Sequence, residues 1–159
     1  ANLKKLAPIV EKRGREIPDD FYNRLGNEPD TAKMIEGRVD QLKATHSKWM
    51  MDLVGGDYGS SYFEGRWKIG VVHVRIGLKP EWVEAVMSFI RAGAMRIIGE
   101  EVSDSQEAAR LAMSFTKICD LDLLIINASY ADDRLARLSD FTGMKRPLIE
   151  NIISIPKKD

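Results

Sequence analysis

The chain holds one cysteine, Cys119, so no disulfide can close within it. Its place in an apolar run predicts a core thiol in a reducing compartment. Net charge is lacking too, because 24 Lys and Arg balance 24 Asp and Glu. Duplex nucleic acid is therefore not an expected partner, since such binding draws on clustered cations that release counterions. No run approaches the ~18 uninterrupted apolar residues of a membrane span. The opening Ala1-Asn2-Leu3-Lys4-Lys5 has no signal-peptide core, and the expectation is a soluble cytoplasmic protein. Gly-x-Ser-x-Gly, Cys-x-x-Cys and the glycine spacings of phosphate loops and dinucleotide folds are absent, which leaves hydrolytic and nucleotide-dependent chemistry without support. Histidine is scarce, with only His46 and His73.

What is present suffices for a single domain spanning residues 1–159. A hydrophobic content of 44% in 159 residues can bury about 70% of the unfolded surface. Apolar residues recur at three and four along nearly the whole chain, which predicts an all-α fold. The expected segments are Leu3 to Arg15; a helix opening at Ile17-Pro18-Asp19-Asp20, carrying Phe21, Tyr22 and Leu25 and stopping at Gly26-Asn27; Val39 to Val54; Tyr62 to Ile76; and Pro80 to Gly99. A last long helix opens on Ser103-Asp104-Ser105-Gln106 and runs to Asp140, about 35 residues or ~52 Å. From Ile118 to Ile126 it is apolar nearly all the way round. That pattern predicts two buried faces, one on its own core and one on a partner subunit, the alternative being a single wide core face. The helical body is thus about 3–140, with 141–159 a tail or the start of a linker.

Both histidines lie on apolar stripes. Ile69 and Ile76 share the face of His73, and Gly70 and Gly77 leave room beside it for something flat. His46 shares a face with Leu42, Trp49 and Met50. Either one alone reads as a core histidine satisfied by a backbone carbonyl. Together they let two helices each point an imidazole inward. Zinc fits poorly, because it wants three or four ligands and the carboxylates fall mostly on polar faces. A cofactor needing one or two imidazoles in an apolar slot fits better, and haem is that cofactor.

The run from His73 through Val74-Arg75-Ile76-Gly77-Leu78-Lys79-Pro80-Glu81 to Trp82 resembles the proximal-histidine motif of the sensor globins, the haem domains of globin-coupled sensors. Asp20-Phe21-Tyr22-Asn23-Arg24-Leu25 resembles their distal Phe-Tyr pair, and Val39 to Thr45 their distal helix. The resemblance covers about residues 3 to 135. It implies a globin fold of the sensor type with helix D missing, and a dimeric four-helix bundle, so a homodimer through the 80–99 and 104–138 helices. It implies haem b held among Phe21, Tyr22, Leu42, Thr45, His46, Ile69, Val72, His73, Ile76 and Trp82. His73 becomes the proximal iron ligand, its other nitrogen held by a carbonyl near Ile69, and Tyr22 the distal hydrogen-bond donor, with Thr45 the next candidate. Many relatives have an apolar residue where this chain has His46. That departure predicts a second iron ligand, giving a bis-histidyl ferric state from which oxygen, carbon monoxide or nitric oxide must displace it, the alternative being a distal histidine that only donates a hydrogen bond.

The implied function is a non-enzymatic sensor of diatomic gases or redox state. The alternatives are a globin enzyme, a nitric oxide dioxygenase or peroxidase, and a haem-free helical dimerisation domain. Leu135 to Gly143 faintly resembles the lead-in to a diguanylate cyclase output domain.

Overall fold

The computed structural model describes residues 1–156. They form α1 (Asn2–Arg13), α2 (Glu16–Asn27), α3 (Pro29–Ile35), α4 (Val39–Val54), α5 (Ser60–Arg75), α6 (Pro80–Glu101), α7 (Ser105–Thr142) and α8 (Arg146–Ser154), with no strand among them. Local chemistry accounts for the ends. Pro80 opens α6, where its missing N–H costs nothing. Gly77, at φ 71°, ends α5 in the left-handed region, and the next amide, of Leu78, donates to the His73 carbonyl at 2.9 Å. The α7 cap is Asp104 rather than Ser103: its carboxylate accepts from the Gln106 and Glu107 amides at 2.8 and 3.1 Å. Gly143, at φ 69°, closes the same helix, whose amide donates back to Ser139.

The long helix neither bends into pieces nor breaks. Its 38 residues span roughly 57 Å. Both α5 and α6 pack along it, α1 crosses α4 and α7, and α2 lies on α6 and α4. The core between them is built from Leu6, Met50, Leu53, Met87, Ile98, Phe115 and their neighbours. Two elements were not foreseen as helices. One is α3, tied back by the Thr31 hydroxyl to the carbonyls of Leu25 and Glu28. The other is α8, in the expected tail, which buries Ile149.

The two apolar faces of Ile118 to Ile126 are distinct. Ile118, Cys119, Ile125 and Ile126 are buried in the body, while Leu121 and Leu124 are 44% and 65% exposed. Two acids interrupt the run: Asp120 is exposed and pairs with Arg91, while Asp122, in the middle, is fully buried.

Candidate functional site

A cleft of about 420 Å³ opens between α4 and α5, within the ~300–1,000 Å³ of ordinary small-molecule sites. The α4 wall presents Leu42, Thr45, His46 and Trp49, and the α5 wall presents Ile69, Val72, His73 and Ile76. Its floor is aliphatic, formed by Val83, Met87 and Ile90 of α6 with Ile126 of α7. Both histidines therefore line one cavity from facing helices.

Tyr22 joins them from α2. Its hydroxyl lies 3.1 Å from His46 Nδ1, and the two rings stack with centroids 5.5 Å apart. Burial pushes the phenol up to about 12, against the nearby charge of Arg38. Burial, and then the charge of His73, lowers His46 to about 4. Both groups are thus neutral at pH 7 and share a single hydrogen bond. Phe21 does not reach the cleft. It stands edge-on to Tyr22 at 5.1 Å and to His46 at 6.3 Å, backing the pair.

His73 is also held toward its neutral form by burial. Its Nδ1 is buried with no hydrogen-bond partner, so the expected carbonyl near Ile69 is not engaged. Carbonyls one turn back inside a helix already accept main-chain amides. The ring of Tyr130 lies 6.2 Å away, but its hydroxyl donates to the Leu78 carbonyl at 2.9 Å. A ring nitrogen buried without a partner carries a cost in this conformation, and it is the nitrogen on the side away from the proposed iron ligation.

Two further expectations change. Thr45 lines the cleft, yet its hydroxyl donates to the Gln41 carbonyl at 2.9 Å, back-bonded within its own helix. Trp82 lies outside the cleft and is 42% exposed, because its neighbour Val83 is the residue at this end of α6 that turns inward. The room expected beside Gly70 faces α7 instead. A Cβ there would overlap Ser129 Oγ and meet the Ile126 carbonyl oxygen at 2.5 Å. The glycine that lines the cleft is Gly65.

Sequence reasoning missed the buried carboxylate of Asp122. It accepts from Trp49 Nε1 at 2.9 Å, from Arg66 Nε at 2.8 Å and from the Tyr62 hydroxyl. Burial pushes its carboxyl up, opposed by these donors. The network ties α4, α5 and α7 together directly behind Trp49. Its signal in the sequence was an acid inside an apolar run, a signal that the exposed Asp120 two residues earlier also gives. Arg38, Gln41 and Lys68 also line the cleft and were not foreseen.

Among the described residues no three His, Cys, Asp or Glu side chains gather as a metal nest. The cleft suits a flat apolar group carrying its own metal: it lies between two helices, is aliphatic at its base, and offers imidazoles from both walls. Haem is such a group, and these residues fit it.

An all-helical body that places a histidine-lined cleft between two facing helices has the globin arrangement. The Protoglobin family model matches residues 1–136, and the chain belongs to that family. The globin domain of a Geobacter sulfurreducens globin-coupled sensor is 33% identical, with a TM-score of 0.75 over 81% of this chain and 86% of that one. The ferrous globin domain of E. coli DosC shares the fold, with a TM-score of 0.72, 16% identity, and coverage of 79% and 87%. The haem-based aerotactic transducer HemAT of Halobacterium salinarum is 25% identical over 97% of this chain. The chain spans 34% of that protein's length. No helix among the described residues is long and apolar enough to cross a membrane.

Proposed function

We propose that this chain is a haem b sensor domain that reports the binding of oxygen, carbon monoxide or nitric oxide, or a change of redox state. The carrying observation is that His46 and His73 line one apolar cleft from facing helices, the first already paired to Tyr22. When bound, haem would supply an iron able to bind diatomic gases and to change oxidation state, and His73 and His46 would hold it. His73 is the proximal ligand in this reading and His46 the distal one, giving a bis-histidyl ferric state.

The Tyr22–His46 bond decides what His46 can do. When Nδ1 carries the proton and donates to the phenol oxygen, Nε2 keeps its lone pair and is a metal ligand. When the phenol donates to Nδ1, the proton of the ring sits on Nε2, which then serves as a hydrogen-bond donor. The ring tautomer, set by which partner donates in this bond, thus decides whether His46 is ligand or donor. Burial keeps both partners neutral, as each of the two forms requires.

Motion of His46 is motion of α4, and α4 is joined to α5 and α7 through Trp49 and Asp122. Trp82 and Met95 of α6 and Leu121 and Leu124 of α7 expose apolar surface on the 80–99 and 104–138 helices. In the proposed homodimer these residues pack against a second copy, and a shift there is a two-state signal to an output domain. In this reading the chain works in the cytoplasm, and its role is signalling, as a transducer relative suggests. An enzymatic reading has less behind it, since a dioxygenase needs re-reduction in every cycle.

The test is spectroscopic. His73→Ala is expected to stay helical and to lose stoichiometric haem uptake; a normal haem spectrum in that variant would sink the assignment. His46→Ala is expected to retain haem and lose the six-coordinate low-spin ferric spectrum. Persistence of that spectrum would remove His46 from the coordination sphere.

A further inference from the structure

The charged side chains lining the cleft are Arg38 and Lys68, and no carboxylate lines it. In a chain whose charges balance, with ion pairs spread across its surface, that bias is local. Neither residue takes part in an ion pair among the described side chains, whereas neighbours such as Lys43 and Arg66 do. The two cations come from opposite walls, Arg38 at the cap of α4 and Lys68 from α5. Both are exposed, as are Gln41 and Gly65 beside them, while Val83, Met87 and Ile90 at the other end are buried. The cleft is therefore amphipathic, with both of its cations on the rim, beside the exposed Val72 and Ile76, and an aliphatic floor. Arg38 is near enough to Tyr22 for its charge to act on the phenol, so this rim is continuous with the distal pair.

We infer that Arg38 and Lys68 bind the two carboxylates of the cofactor, one from each wall. This rests on the haem reading above. Iron protoporphyrin is apolar except for two propionates on one edge, and that edge matches the rim as the rest matches the floor. Arg38 can grip a carboxylate through two parallel N–H bonds, while Lys68 acts as a compact point charge. The pair thus sets which edge of the porphyrin faces solvent.

The experiment compares haem with its dimethyl ester, whose carboxylates are masked, in the wild-type chain and in Arg38→Ala, Lys68→Ala and the double variant. Release to excess apomyoglobin is followed by absorbance, with circular dichroism as the check of folding. Haem is expected to leave each single variant about three times faster, and the double variant about ten times faster, with the difference shrinking at high salt. The ester is expected to leave all four proteins at one rate. Variants that speed both ligands alike, or neither, overturn the inference and leave the haem reading standing. A wild-type chain that takes up neither ligand brings down the haem reading and this inference with it.

Discussion

Tyr22 Oη lies 3.1 Å from His46 Nδ1, and no other hydrogen bond engages either side chain among the described residues. Such a partner both orients an imidazole and raises its basicity as a ligand, and loss of a partner of this kind costs about tenfold in metal affinity. Tyr22→Phe is therefore expected to lower the ratio of low-spin to high-spin ferric haem about tenfold. Absorption and electron paramagnetic resonance spectra measure that ratio directly. An unchanged ratio would mean that Tyr22 does not orient His46.

Much of this arrangement is legible in the sequence, and the exceptions have physical reasons. The bounds of α4 agree at both ends because an apolar stripe stops at Gly55-Gly56. By contrast, α3 is seven residues long and too short to show a period. His46 and His73 could be placed on inward faces from spacing alone, since helical phase fixes which residues share a stripe. Which neighbour a face meets is a tertiary matter. Gly70 stands beside His73 on the helix, yet its bare side meets Ser129 of α7 rather than the cleft. Arg38 and Lys68 read as solvated surface until folding brings the ends of two walls together. Asp122 was visible only as an anomaly, and its three donors lie 56 to 73 residues away along the chain.

The Asp122 network predicts an asymmetric cost of mutation. Asp122→Ala strands the buried guanidinium of Arg66 together with the donors of Trp49 and Tyr62. Loss of one partner from a buried pair costs about 3–5 kcal/mol, whereas replacing both partners by apolar groups is often close to neutral. Combining Asp122→Leu with Arg66→Met is accordingly expected to destabilise the haem-free chain less than Asp122→Ala alone. Urea unfolding followed by circular dichroism tests the order. If the double replacement costs as much or more, the pairing is not what makes Asp122 important.

Gly70 gives a prediction with a control of opposite sign. A methyl group there meets a backbone oxygen of α7 as well as a side chain, so α5 and α7 must part. Overpacking of this kind costs about 1–3 kcal/mol. Because Gly70 lies one helical turn before His73, Gly70→Ala is also expected to shift the haem spectrum. Gly99, in α6, has nothing within 4 Å of the same added atom, and Gly99→Ala is expected to stabilise by about 1 kcal/mol. Thermal melts that moved both variants in the same direction would contradict the packing account.

Cys119 is fully buried, and burial pushes its thiol from 9.0 up to about 12. Above pH 9 the unfolded chain releases this proton while the folded chain keeps it. The folded state then binds more protons, so stability must fall as pH rises from 9 toward 12. Other groups titrate in that range, so the contribution is isolated by the difference in unfolding free energy between the wild-type chain and Cys119→Ala. Below pH 9 the difference is expected to be constant and to reflect only the packing lost with the sulfur. Above it, the advantage of the wild type should shrink by about 1.4 kcal/mol per pH unit. A difference that stays flat between pH 8 and about 10.5 would show that the thiol ionises as readily folded as unfolded, which a sealed core around Cys119 does not permit.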